Sequence, residues 1–133
     1  MKTKLSILPL AVAVAATPAM AVSYGINLRG HVPTVCKVKA DLAAVAIEGN
    51  LVDLGSMREF CNAPAGYDVF VDYGAELAGA RLMVDGNAVE LTDAGTASLA
   101  SESTPARKDR ALAIDLSNVD SANGALSFRI VAR

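Results

Sequence analysis

Residues 22–32 read Val22-Ser23-Tyr24-Gly25-Ile26-Asn27-Leu28-Arg29-Gly30-His31-Val32 and alternate throughout. Tyr24, Ile26, Leu28, Gly30 and Val32 fall on one face, and Ser23, Gly25, Asn27, Arg29 and His31 on the other. A period of two is the mark of a strand with one buried face. Pro33 closes the run, because it lacks the N–H that a strand interior needs. Such a strand, set ahead of the first cysteine, has two possible fates. It pairs within its own chain as the first strand of a complete sandwich, or it leaves its own domain and completes a neighbour's. Both fates carry the same alternation, so the pattern alone leaves both open.

Downstream, short strands recur. Val35-Cys36-Lys37-Val38-Lys39 continues the pattern, and Leu51 to Phe60 and Tyr67 to Tyr73 are separated by Asn62-Ala63-Pro64-Ala65-Gly66. In the second of these Val69, Val71 and Tyr73 face one way while Asp68 and Asp72 face the other. Leu82-Met83-Val84 and Ala88-Val89-Glu90-Leu91 flank Asp85-Gly86-Asn87, a hairpin signal because these residues tolerate positive φ. Ala111 to Leu116 and Ala125 to Val131 are the last two strands, with Leu126, Phe128 and Ile130 on one face of the latter. Ala40 to Ala46 is compatible with a turn or more of helix as well as with strand. Asp93 to Asp109, rich in Ala, Ser and Thr and interrupted by Pro105, reads as a surface loop around one weak strand. Regularly spaced short strands with turn signals predict an all-β sandwich.

Upstream, Met1-Lys2-Thr3-Lys4 is followed by the apolar run Leu5 to Ala16 and by Ala19-Met20-Ala21. A positive start, a short apolar middle and a small-x-small end are the parts of a secretory signal. The run falls short of the roughly 20 residues that cross a bilayer. Residues 1–21 are therefore read as a signal peptide cleaved after Ala21. Export places Cys36 and Cys61, the only two cysteines, where disulfides persist. Only one pairing is available to them, and their spacing is far wider than that of a redox-active Cys-x-x-Cys pair.

The full chain has 133 residues with 12 basic and 14 acidic side chains, one His and a net charge of −2. That length suits one domain. Removing the signal takes away Lys2 and Lys4 and makes the balance more acidic, which disfavours nucleic acid and anionic membrane surfaces. Apolar residues make up 53% of the chain but aromatics only 5%, so the core must be built from Ala, Val, Leu and Ile.

Enzyme chemistry finds little material here, and no cofactor is expected. His31 sits on the polar face of the 22–32 stretch without a metal-ligating partner nearby in sequence. Asp115-Leu116-Ser117-Asn118, with Asp120 and Asn123-Gly124, lacks the acidic spacing and the closing Glu of a calcium loop. Ser101, Ser103 and Thr104 near Arg107, Lys108 and Arg110 have no second His to serve as base. Glu59 and Asp53 form a carboxylate pair only if a cleft brings them together. No glycine-rich phosphate loop follows a strand.

Leu28-Arg29-Gly30 before Val35-Cys36, then Val52-Asp53-Leu54-Gly55, Glu59-Phe60-Cys61-Asn62 and Gly66-Tyr67, resemble the pilin subunits assembled by the chaperone–usher pathway. They also resemble the related spore-coat-U-like secreted domains. The resemblance is clearest over residues 26–73 and architectural beyond them. It implies an incomplete immunoglobulin-like β-sandwich over residues 34–133, with residues 22–33 as an N-terminal donor-strand extension and Cys36–Cys61 as the disulfide. In such a pilin Tyr24, Ile26, Leu28 and Val32 would insert into a neighbour, and Gly30 would match the glycine of the alternating series. Leu126, Phe128 and Ile130 would line the receiving groove.

The partners implied are neighbouring subunits in a head-to-tail homopolymer, a periplasmic chaperone and an outer-membrane usher, with no nucleic acid and no membrane insertion. The place implied is a fimbrium on the cell surface, reached through the periplasm. One departure is the C-terminus, Val131-Ala132-Arg133, where many members of the family carry a tyrosine next to the end. Burying four medium or large apolar side chains would contribute roughly 6–12 kcal/mol as an upper figure. The alternative is a secreted monomeric coat or binding domain in which residues 22–32 pair within their own chain.

Overall fold

The computed structural model describes residues 25–120 and 123–133. Residues 1–21 and Tyr24 therefore lie outside the described residues. The chain divides into two units, residues 1–31 and 32–133. In the first unit, residues 25–31 carry neither helix nor strand and are exposed.

The second unit is all-β apart from one short 3-10 turn at Ala75–Leu77. Its strands are β1 (Cys36–Glu48), β2 (Leu51–Cys61), β3 (Tyr67–Tyr73), β4 (Arg81–Val84), β5 (Asn87–Glu90), β6 (Thr96–Glu102), β7 (Ala106–Asp115) and β8 (Leu126–Ala132). They form a five-stranded sheet in the order β1-β2-β7-β4-β5 and a three-stranded sheet in the order β6-β3-β8. Every pairing is antiparallel.

The inward faces of both sheets make one core. Leu54, Met57 and Cys61 come from β2, Tyr67, Val69, Val71 and Tyr73 from β3, Leu82 and Val84 from β4, and Leu112 and Ile114 from β7. In β3 the buried residues fall at every second position, as the alternation predicts. In β2 the inward parity changes once, between Leu54 and Met57. The cause is a bulge at Gly55, where the ladders to β1 and β7 both shift register. Gly55 has φ +91°, and a Cβ there would lie 2.5 Å from the Asp41 carbonyl oxygen. At Gly66 (φ +86°) a Cβ would collide with the Glu102 carbonyl.

Cys36 and Cys61 stand opposite one another in the β1–β2 ladder and are disulfide-bonded. Asp85 and Gly86 both have positive φ and turn β4 into β5, the geometry of a type I′ hairpin. Asp85 Oδ1 also accepts the Ala111 N–H at 2.9 Å, which pins this turn to β7.

The sequence left Ala40 to Ala46 open between helix and strand, and the reading of Asp93 to Asp109 needs correction. Ala40 to Ala46 is strand, not helix, because its backbone joins the β2 ladder through Gly55 and Asp53. Asp93 to Asp109 is not a loop around one weak strand. It holds all of β6 and the first part of β7, joined through Ser103–Pro105. The small and polar residues of β6 conceal a strand that pairs with β3 along its whole length. Residues 25–35, which hold the described part of the alternating 22–32 stretch, form no strand.

Candidate functional site

β8 is an edge strand: it pairs with β3 and, among the described residues, with nothing on its other side. Leu126, Phe128 and Ile130 point toward the core but stay half-buried, although their ladder partners Tyr73, Val71 and Val69 are buried. The edge strand of the other sheet, β1, approaches β8 across the gap. An apolar cavity of about 250 Å³ opens between the sheets, lined in part by Ala44, Val52, Leu54, Leu116 and Leu126. Of the three groove residues named from the sequence, Leu126 lines this cavity, and Phe128 and Ile130 continue its face along β8. β1 exposes apolar side chains of its own at Leu42, Val45 and Ile47. An edge with open N–H and C=O groups beside an apolar trough is a template for one more strand.

Ile26, Leu28 and Val32 have the opposite character. They are 80%, 90% and 78% exposed, the largest such values among the described large apolar residues. A Cβ on Gly30 would meet nothing within 4 Å. The chain just after them is held firmly. Asn62 Oδ1 accepts the Val35 N–H at 2.6 Å, and Asn62 Nδ2 donates to the Pro33 carbonyl at 3.0 Å. The Asn62 N–H donates to the Val35 carbonyl at 3.2 Å. The Cys61-Asn62 pair noted in the sequence thus has a physical role: it fixes residues 33–35 beside the disulfide.

A polar cluster that the sequence reading did not find ties the two sheets together. Glu59 of β2 is fully buried and accepts from Arg110 Nη2 of β7 at 2.8 Å and from the Tyr67 hydroxyl of β3 at 3.1 Å. Arg110 also donates to Glu102 of β6 at 2.7 Å and to Asp85 at 3.3 Å. The bond to Glu59 holds the guanidinium charged well above its ordinary range. Burial, and then the Glu59 charge, push the Tyr67 hydroxyl up. Bonds from Lys108 and then Arg110 hold the Glu102 carboxyl below its usual value. Glu59 Oε2 and Arg110 Nε have no hydrogen-bond partner among the described residues. The signal was available in parity: past the Gly55 bulge, Glu59 shares the inward face of Met57 and Cys61.

Other candidates resolve into local structure. Glu59 and Asp53 do not meet, since the Gly55 bulge leaves Asp53 exposed, where it accepts the Gly55 N–H at 2.7 Å. Ser101 donates to Asp68 at 2.7 Å and accepts from Arg133 at 3.2 Å. Asp115 is engaged by Arg81 at 2.8 Å and by both the N–H and the hydroxyl of Ser117. His31 is exposed. Among the described residues no group of three or more His, Cys, Asp or Glu side chains could hold a metal ion. No described helix is long and apolar enough to cross a membrane.

Comparison with known proteins gives no matching family model, no matching curated protein and no matching solved structure.

Proposed function

We propose that this chain is a structural subunit of a surface fimbria that polymerises by donor-strand exchange. Residues 22–32 of one copy complete the sandwich of the next. One observation carries the reading: a half-buried apolar edge at β8 coexists with an alternating apolar segment whose described part, residues 25–32, pairs with no strand among the described residues. Strand order adds support. An immunoglobulin-type sandwich has strands A, B, E and D in one sheet and C, F and G in the other. Reading β1, β2, β7 and β4 as A, B, E and D, and β3 and β8 as C and F, leaves G without a counterpart. G belongs on the open side of β8.

The activity is then assembly, not catalysis. Strand addition satisfies the β8 main chain, and the apolar trough receives alternate side chains of the donor. A head-to-tail contact of this kind does not close and so builds a filament. The same reading assigns residues 1–21 to export. A periplasmic chaperone would occupy the groove until an outer-membrane usher exchanges it for the next subunit, and the fibre would serve adhesion or biofilm formation.

Surface-sheared protein run unboiled beside boiled on an SDS gel tests this. A ladder that collapses to one mature-size band on boiling is the expected result. Leu28→Asp should abolish the ladder while leaving the chaperone-bound subunit intact, and Phe128→Asp should remove chaperone capture. A single monomer band in both lanes would overturn the reading in favour of a self-contained secreted domain.

A further inference from the structure

The two ends of the sandwich carry opposite unpaired charge. At the disulfide end, Lys37 of β1 and Arg107 of β7 stand directly opposite Phe60 of β2 on either side. Phe60 is an outward aromatic left 41% exposed. With Lys39 and Arg58 these three residues line a shallow cavity of about 270 Å³. Lys39 and Arg58 pair with Asp41 and Asp109, at 3.0 and 2.7 Å. Lys37 and Arg107 have no acidic partner among the described residues.

At the far end, the end of β1 brings Glu48, the 3-10 turn brings Glu76, β5 brings Glu90 and the β7–β8 connection brings Asp120. The Leu116 N–H donates to the Asn50 carbonyl, which joins two of these segments. Glu76 and Asp120 line one shallow cavity. None of the four acids is paired with a cation among the described residues, and the neighbouring Arg81 is engaged by Asp115. The eleven residues of β2 separate the two ends by roughly 35 Å, several Debye lengths at physiological salt. The two charge sets therefore do not neutralise one another within one molecule.

Strand polarity independently says which end meets which. β8 runs from Leu126, opposite Tyr73 at the far end, to Ala132, opposite Tyr67 at the disulfide end. A strand added beside β8 antiparallel to it runs the other way and leaves the acceptor at the far end. In the donor, that strand leads into Pro33–Val35, which Asn62 holds beside the disulfide.

We infer that the Phe60 cavity with Lys37 and Arg107 is a docking surface for a second copy of this chain. Its occupant is the acidic far end carrying Glu48, Glu76, Glu90 and Asp120. The inference rests on the donor-strand reading and deepens it. Strand exchange supplies holding strength, and the charged ends steer the incoming subunit into end-to-end alignment before exchange.

Polymerisation of the full mature chain, followed by light scattering at low and at high salt, tests the contact. The comparison uses wild type, a Lys37→Glu/Arg107→Glu variant, a Glu48→Lys/Glu76→Lys/Asp120→Lys variant, and all five substitutions together. Each one-sided variant should assemble about tenfold more slowly at low salt, and the combined variant should return to within about twofold of wild type. High salt should slow wild type toward the one-sided variants. A synthetic peptide of residues 22–32 in excess should block assembly of all four alike. Equal rates for all four, still blocked by the peptide, would overturn the charged contact alone. Assembly that the peptide does not block would overturn the donor-strand reading, and this contact with it.

Discussion

β3 and β8 lie side by side in one sheet and carry the same alternation, yet they end at different depths. Tyr67, Val69, Val71 and Tyr73 of β3 are at most 8% exposed, because β6 and β8 pair with that strand on both edges. Leu126, Phe128 and Ile130 of β8 stand opposite three of them and remain only half-buried. Alternation selects which face of a strand is apolar. How deeply that face is buried depends on whether a neighbour covers its edge. Among the described residues the sandwich thus has a covered side, at β6, and an open edge, at β8.

The sharpest way to break this comparison is a charge placed at two directly opposed positions, Val71 and Phe128. Val71→Asp puts an unpaired carboxylate in the closed core and should cost more than about 4 kcal/mol, enough to leave no folded protein. Phe128→Asp, with solvent in reach, should cost only about 1–2 kcal/mol in chemical denaturation of the isolated chain. Equal losses at both positions would erase the distinction between the strands.

The covered side is also the one crossed by the buried ion cluster. Glu59→Ala strips Arg110 and Tyr67 of a shared acceptor and should cost about 3–5 kcal/mol by the same denaturation measurement. The disulfide bears on the open edge, since it anchors β1, the strand that faces β8 across the gap. Replacing Cys36 and Cys61 together by Ser reopens a loop of sequence separation 25 and should cost about 3–4 kcal/mol.

Acid should have the smallest effect. Glu102, held below its ordinary value of 4.5 by Lys108 and Arg110, contributes stability above that pH and loses it as pH falls through its lowered folded value. Asp72 and Asp115, lowered mainly by bonds to Thr96 and Ser117, act in the same direction. Melting temperature should stay level from pH 7 to about 5 and fall below that, and Lys108→Met should make the acid limb shallower.

Much of the fold was legible where alternation coincides with a covered face, as in β3, or where turn residues leave little choice, as at Asp85-Gly86. β6 was legible only as one weak strand within a loop, because Thr96-Ala97-Ser98-Leu99-Ala100-Ser101-Glu102 offers little contrast between its faces. The second half of β1 was ambiguous for the same reason: its alanines suit helix and strand equally, and only the β2 ladder decides. Residues 22–32 present the reverse case. Their alternation is the clearest in the chain, but their described part pairs with no strand here. Periodicity reports a strand's faces and is silent about which molecule supplies its partner. The inward position of Glu59 could be read from parity, whereas Arg110, Glu102 and Tyr67 converge on it only once two sheets are stacked.

The most direct measurement is thermal unfolding of residues 22–133 carrying Leu28→Asp, titrated with a synthetic peptide of residues 22–32. The variant keeps the β8 edge and places a charge on the apolar face of its own residues 22–32. The wild-type peptide should raise the melting temperature by about 10 °C or more at saturation, and a peptide carrying Leu28→Asp should leave it unchanged. A folded protein whose melting temperature responds to neither peptide would contradict the account, because its sandwich would then need no further strand.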